Sequence, residues 1–447
     1  MYTIIQHASI VNERSVRIGC VVLKGKYIEA LIYNNPTKEE LVKKYGPSSA
    51  YIDASGQYLI PGIVDDQVHF REPGQPEKGT METESRAALL GGVTSVFDMP
   101  NNVPAATTVL ALEEKYKRAA KSMYTHYAFY MGATNTNEKE VLSKDLPGCG
   151  LKIFMGSSTG NMLVDDPEVL NIYFKEFKGL IATHCEDETA IRENLKAARA
   201  KYNEDIPWIE HGTIRSRKAC ISSTTDAIEM ALRHKTKLHI LHVSTKEEIG
   251  LITSARRVFD GISCEAALPH IWFSEEDYRE HGSHIKCNPA LKTPSDRDAI
   301  LQGIENRWIQ VIGSDHAPHT LAEKQNKYEK APSGIPLIQH TCNMLMELVA
   351  QGRLSITHLA EACSHEPARL FGLRNRGFIR EGYYADLVLV DPGKRHLVTK
   401  QSLETGCQWS PLEGFDFSSS VTHVFVNGTL AVKDNNIIEK PSVTALL

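Results

Sequence analysis

The sequence predicts an α/β protein: a (β/α)8 TIM-like barrel with a small β-domain built from its N- and C-terminal segments. Three observations carry this. Apolar runs of strand length recur between segments of helical periodicity through the middle of the chain. Both ends carry only short strand-like runs, and several central runs finish on a polar residue, as barrel strands do at the face that holds chemistry. At 447 residues the chain exceeds one ordinary core, so a barrel-sized unit plus a smaller one fits its length.

The elements follow in order. Residues 1–56 hold "YTIIQHASIV" and "RIGCVVLKGKYIEALIY", broken by Gly-Lys and Asn-Asn-Pro turns, which predicts a small meander of strands. Residues 57–372 are assigned to the barrel: "TSVFDMP", "THYAFYMG", "LKIFMG", "GLIATHCE", "KLHILHVS" and "WIQVIGSDH" read as buried strands, with helical segments such as "METESRAALLGG" and "STTDAIEMALRHK" between them. After "EPARLFGL", where Pro367 suits a helix start, residues 373–447 return to short strands, "ADLVLVDP" and "THVFVNGTLAV". These are expected to pair with the N-terminal strands.

Composition excludes several classes. With 42% hydrophobic and 23% charged residues the chain is globular, neither disordered nor low in complexity. A net charge of −5 without a basic run gives no footprint for nucleic acid. The nine cysteines are scattered and include no Cys-x-x-Cys pair, which favours reduced thiols and a cytoplasmic protein. No charged leader precedes an apolar stretch, and no apolar run reaches membrane-spanning length, so neither a signal peptide nor a membrane partner is expected.

Gln67 and His69, Lys152, His184, His242 and Asp315 each end a strand-like run. Singly, each is a common rim residue. Jointly, imidazoles and a carboxylate converging on one face suit a zinc-like ion, which lowers the pKa of a bound water, and Asp315 could take the proton from that water. In an extended strand residues 67, 69 and 71 share a side, so Arg71 enters the same cavity, where its planar guanidinium suits a substrate carboxylate. Asn101 and Asn288 follow strand-like runs as well and are either turn-formers or ligand contacts.

The stretch "PGIVDDQVHFREPG" resembles the first-strand motif of the amidohydrolase superfamily in its type I dihydroorotase form, and "GSDHAPHTLAEK" resembles the eighth-strand motif. "MPNN", "HVS", "CNPALK" and "GFIREGYYADLVLVDP" fit in order between and after them, so the resemblance covers about residues 50 to 430. It implies a zinc-dependent cyclic amidase that interconverts N-carbamoyl-L-aspartate and L-dihydroorotate in pyrimidine synthesis, by attack of an activated hydroxide on the ring amide. By position it implies one or two Zn2+ per subunit, with His69 a ligand of one metal and His184 and His242 ligands of the other. It further implies Asp315 as ligand and acid/base, and Lys152 carbamylated so that it serves as a carboxylate. Arg71, Asn101 and His319 would hold the substrate carboxylate, and Asn288 with the backbone at Ser333 and Gly334 would contact the ring. The polar stretch 320–336 would close over the substrate.

Two departures stand out. Gln67 occupies the position of a histidine ligand, which implies a firmly held metal at His184 and His242 and a labile or absent one at His69. Ser333 stands where the pattern has an apolar residue. The rival readings are a hydantoinase-like or allantoinase-like amidase, and an inactive homologue serving as partner of aspartate transcarbamoylase. A homodimer is the expectation at family level.

Overall fold

The computed structural model describes residues 2–34, 36–47, 50–143, 146–156 and 162–447. The N-terminal strands are β1 (Tyr2–Asn12), β2 (Ser15–Lys24), β3 (Tyr27–Ile32), β4 (Ala50–Asp53) and β5 (Tyr58–Pro61). The barrel strands are β6 (Ile63–Val68), β7 (Val93–Asp98), β8 (His126–Phe129), β9 (Met131–Gly132), β10 (Leu151–Phe154), β11 (Ile181–His184), β12 (Leu238–Ile240), β13 (Ile262–Ala267) and β14 (Val311–Gly313). At the C-terminus come β15 (Leu387–Asp391), β16 (His396–Leu397), β17 (Asp416–Phe417), β18 (Ser420–Val426), β19 (Thr429–Lys433) and β20 (Asn436–Ile437).

β6 to β8 pair in parallel, as do β9 to β14, and β8 and β9 form one stave interrupted at Tyr130, which makes eight staves. The ring closes where Val68 bridges His316 and the His69 N–H donates to the His316 carbonyl at 2.8 Å. The result is a TIM-barrel-like fold with an accessory β-sheet. Val64, Phe97, Tyr130, Ala182 and Leu241, drawn from different strands, pack together in the barrel interior. Ile63, Val68, Val96, Ile153 and Ile240 face the surrounding helices, as alternation in buried strands requires. The helix Met81–Leu90 starts at Thr80, whose hydroxyl accepts from the Thr83 N–H, and the helix Arg217–His234 starts at Ser216 in the same way. Glu366–Leu370 carries Pro367 in its first turn, where a missing N–H costs nothing.

The terminal strands join one nine-stranded sheet in which β5 lies between β1 and β15. The chain therefore leaves this sheet only after Pro61, and the barrel begins at β6. The C-terminal segment does not stay in the sheet either. Between β16 and β17 it runs over the barrel mouth, where the Trp409 indole N–H donates to the His319 carbonyl at 2.7 Å, and near its end Leu446 pairs with Tyr127 of β8. A buried indole N–H needs an acceptor, and this one fixes the segment over the site. Among the described residues no helix is long and apolar enough to cross a membrane, and all nine cysteines are free.

Candidate metal and substrate site

Gln67, His69, Arg71, Asn101, Lys152, His184, His242, Asn288, Asp315, His319, Ser333 and Gly334 all line one cavity of about 260 Å³ at the C-terminal ends of the barrel strands. That volume suits a single-ring small molecule, a little below the usual range of ligand pockets. His242 and Asp315 hold positive φ angles of 38° and 48°, uncommon for non-glycine residues and concentrated at sites where the surrounding structure imposes them.

The β11 and β12 histidines form one half. His184 Nε2 lies 2.8 Å from Glu186 Oε2, so that nitrogen carries the proton and Nδ1 is left bare. Nδ1 sits 3.0 Å from His242 Nε2, the spacing of two ligand atoms on one ion. Burial lowers both imidazoles and keeps them neutral, the ligand form. Burial works against ionisation of Glu186 too, but the Arg215 guanidinium and His184 outweigh it and hold the carboxyl below its ordinary value.

The other half is His69 with Asp315. His69 Nδ1 donates to the Asn101 side-chain carbonyl at 2.7 Å, which leaves Nε2 bare, and Nε2 faces Asp315 Oδ1 at 3.2 Å. At that distance the pair is satisfied by a proton on Nε2 or by a cation held by both atoms. Gln67 does not present its oxygen to this gap: its amide nitrogen donates to Asp315 Oδ1 at 3.0 Å, while Oε1 is buried without a partner. Between the halves stands Lys152, fully buried, its Nζ without a hydrogen-bond partner and 4.5 Å from the Phe154 ring centroid. Burial pushes this amine down to about 7 against the pull of Asp315 and Glu265. The imidazole pair of His184 and His242 is a donor set of the kind a borderline divalent ion takes, and the unpartnered Lys152 amine lines the same cavity.

Arg71 and His319 form the anion corner. Arg71 Nε donates to the Pro318 carbonyl at 2.9 Å and Nη2 lies 3.1 Å from His319 Nε2, while Nη1 has no protein partner among the described residues. Burial pulls the guanidinium down to about 10, still charged at neutral pH. Burial, together with Arg71, Lys324 and Lys78, holds His319 well below its ordinary value, so it is neutral. Asn101, expected against the carboxylate, spends its side-chain oxygen on His69. Asn288 Oδ1 is buried and unpartnered.

One layer below is a group that the sequence reading missed. Asp66, His239 and Glu265, from β6, β12 and β13, place ligand atoms within 4.8 Å of one another, and all three are fully buried. His239 Nδ1 is 2.8 Å from Ser263 Oγ, which donates to the Leu238 carbonyl, so Nδ1 carries the proton. Nε2 then faces Asp66 Oδ2 at 3.0 Å, and neither atom, nor Glu265 Oε2, has a hydrogen-bond partner. Burial first, then Asp66 and Asp315, push the Glu265 carboxyl well above its ordinary value. The three residues form a candidate metal-holding group. Strict alternation would turn residue 66 outward with Val68, but the register with β7 shifts between Asp65 and Val68. This bulge brings Asp66 and Gln67 inward on successive residues. The only trace in the sequence was a second acid beside Asp65.

The profile of the amidohydrolase family matches residues 58–431. The chain belongs to that family. Within it the chain is dihydroorotase-like: it is 31% identical over 366 residues to a dihydroorotase of Halobacterium salinarum, covering 81% of this chain and 84% of that protein. It is 29% identical over 427 residues to a dihydroorotase of Methanosphaera stadtmanae, covering 95% and 97%. Among solved structures this amidohydrolase superposes on the L-hydantoinase (dihydropyrimidinase) from Arthrobacter aurescens with a TM-score of 0.91 at 24% identity, over 99% of each chain. At that identity the likeness concerns the fold.

Proposed function

We propose that this amidohydrolase is a dihydroorotase, closing N-carbamoyl-L-aspartate to L-dihydroorotate and reopening the ring. One observation carries the choice: Arg71, with Nη1 unengaged, shares a 260 Å³ cavity with the histidine and Asp315 donor set. A ring that brings its own carboxylate beside a reactive amide meets both needs. The neutral rings of hydantoin or dihydropyrimidine would leave a buried guanidinium without a counter-charge.

His184 and His242 would hold one zinc-class ion, and His69, Asp315 and a carbamylated Lys152 would complete the set for one or two. When bound, such an ion supplies Lewis acidity to the amide carbonyl and to an attacking water. Arg71 anchors the substrate carboxylate, assisted by His319, and so selects which ring carbonyl enters the donor set. Asn288 and the backbone at Ser333 and Gly334 contact the ring, Ser333 at the edge that carries the carboxylate. Asp315, at the closing seam of the barrel, accepts the proton of the attacking water and returns it to the ring nitrogen that leaves. In the closing direction the same carboxyl takes the proton of the ureido nitrogen.

The test is turnover of L-dihydroorotate, followed by loss of its ultraviolet absorbance, beside hydantoin, allantoin and dihydrouracil. Preference for a neutral ring would replace this reading with the hydantoinase-like one. Metal-loaded protein inert on every ring would favour a non-catalytic partner of aspartate transcarbamoylase, the reading that Gln67 keeps open. Intact-mass measurement of Lys152 peptides tests the carbamate, and sedimentation tests the homodimer that belongs to the same proposal.

A further inference from the structure

Two lysines outside the donor set stand directly behind the cavity wall. Lys324 is fully buried, and its Nζ donates to the carbonyls of Gly334 at 2.9 Å, Pro332 at 3.0 Å and Lys286 at 3.4 Å. Lys286 Nζ donates to the carbonyls of Tyr328 at 2.6 Å and Ala331 at 2.7 Å. Among the described residues neither makes an ion pair with a carboxylate. Each amine is held by backbone carbonyls and an aromatic face, Lys286 Nζ 4.4 Å from the Tyr328 ring centroid and Lys324 Nζ 6.0 Å from that of Trp409, and burial pushes both down to about 7, an expensive arrangement where an apolar side chain would pack.

The geometry of the peptide gives the arrangement a purpose. In a planar trans peptide the carbonyl and the following N–H point opposite ways. With the Pro332 carbonyl turned back to Lys324, the Ser333 N–H points away from Lys324. That N–H has no partner among the described residues, and Ser333 lines the cavity. The wall is pinned at both ends: the Gly334 N–H donates to the Lys286 carbonyl at 2.8 Å, and a Cβ at Gly334, φ 142°, would stand 2.5 Å from the Ala317 carbonyl oxygen. Tyr328 OH, 2.7 Å from His211 Nδ1, anchors the start of the segment. Ser333 also adjoins the anion corner, since His319 Nε2 lies 3.1 Å from the Ser333 carbonyl and 3.1 Å from Arg71 Nη2. Of the cations around this corner, Arg71, Lys78, Lys286 and Lys324, Lys78 alone has an ion-pair partner among the described residues, Glu323 at 2.8 Å.

We propose that Lys324, backed by Lys286, is a positioning residue: it fixes the Pro332–Ser333 peptide so that the Ser333 N–H meets the substrate's carboxylate side, and it makes the cavity selective for an anionic ring over a neutral ring of the same size. This rests on the dihydroorotase reading. Segment 328–334 is then a preformed part of the cavity wall.

The test compares metal-loaded wild type with Lys324→Met and Lys324→Arg. Steady-state kinetics on L-dihydroorotate are read beside calorimetric binding of orotate and of dihydrouracil, the ring without the carboxylate. Lys324→Met should raise KM and weaken orotate binding about tenfold, the loss of one charge-supported hydrogen bond, with kcat little changed and dihydrouracil binding unmoved. Lys324→Arg should restore most of the loss. Equal weakening for orotate and dihydrouracil, or no change for either, overturns the proposal. If Lys324→Met does not fold, Lys286→Met carries the same expectation and the same overturning result. Wild type that neither turns over dihydroorotate nor binds orotate overturns the dihydroorotase reading, and this proposal with it. Wild type that does both while Lys324→Met matches it overturns this proposal alone.

Discussion

Gln67 stands beside the His69 and Asp315 pair and engages only the carboxylate. Its amide nitrogen holds Asp315 Oδ1 at 3.0 Å, so it orients the carboxylate that faces His69. An imidazole there would add a second nitrogen ligand beside His69. Gln67→His should therefore increase metal retained after dialysis, read by elemental analysis; an unchanged stoichiometry of two would show that the amide costs the site nothing. Two other residues separate binding from chemistry. Arg71→Met should raise KM for dihydroorotate by about 2 kcal/mol equivalent, the usual worth of a charged hydrogen-bonding pair, with a smaller effect on kcat. Asp315→Asn should lower kcat by about a hundredfold or more, with its amide unable to accept the proton.

At the scale of elements, the site is built by strand ends whose partners come from distant segments. The helix Met81–Leu90 contributes Glu84, which meets His316 Nε2 at 2.6 Å with both side chains fully buried. The Ile338 N–H donates to the other nitrogen of that ring at 3.3 Å. His316 follows Asp315 and bridges β6, so this pair steadies the strand end that carries Asp315. Glu84→Ala leaves His316 Nε2 without its buried acceptor and should cost about 1–3 kcal/mol in urea unfolding, with kcat falling as Asp315 loses its support. The bulge in β6 works in the same way: one extra residue gives this strand inward groups in two successive layers, Asp66 for the lower and Gln67 for the upper.

At the scale of the whole molecule, the barrel and the accessory sheet are tied by a buried charge cluster. Asp386, just before β15, pairs with Arg376, lies 3.6 Å from His126 of β8, and accepts the Asn427 N–H at 2.7 Å. Burial opposes its ionisation, but His126 and Arg376 win and hold the carboxyl down at about 2. A carboxyl depressed in the folded state contributes stability above its unfolded pKa and loses it as pH falls through the folded one. The Asp386 contribution, about 2 kcal/mol, should be complete above about pH 4 and gone below about pH 2. Asp386→Asn should lower Tm at pH 7 and flatten its dependence on pH across that window, as measured by calorimetry. Metal should act on the whole fold as well: a ligand that binds only the folded chain raises Tm with its concentration, and a chelator should reverse the shift.

Much of this was legible beforehand. Periodicity marked most of the strands and the two longest helical stretches it singled out, because local propensity and alternation are local properties of the chain. The polar strand ends marked His69, Lys152, His184, His242 and Asp315, because a buried strand rarely keeps such residues unless its end opens on a site. The family motifs added Arg71 and His319. What escaped was each contact that depends on registration between distant segments. Asp66 was hidden by a bulge that alternation cannot foresee, and β13 with Glu265 was not singled out. The bond from His69 to the Asn101 side-chain oxygen was not foreseen either. Lys324 was read only as part of the polar stretch 320–336, and the folded chain buries it against carbonyls of the cavity wall.

The sequence by itself determined the fold class, the family and the residue types that meet at the barrel mouth, since all of these are written in local patterns. The tertiary structure alone decided which atom each residue leaves free or engages: Gln67 engages its nitrogen, His184 leaves its Nδ1 and Arg71 its Nη1. Gln67 and Arg71 owe theirs to Asp315 and Pro318, 248 and 247 residues away, His184 to Glu186 at its own strand end, and barrel closure, which brings residue 68 beside residue 316, sets the long-range distances.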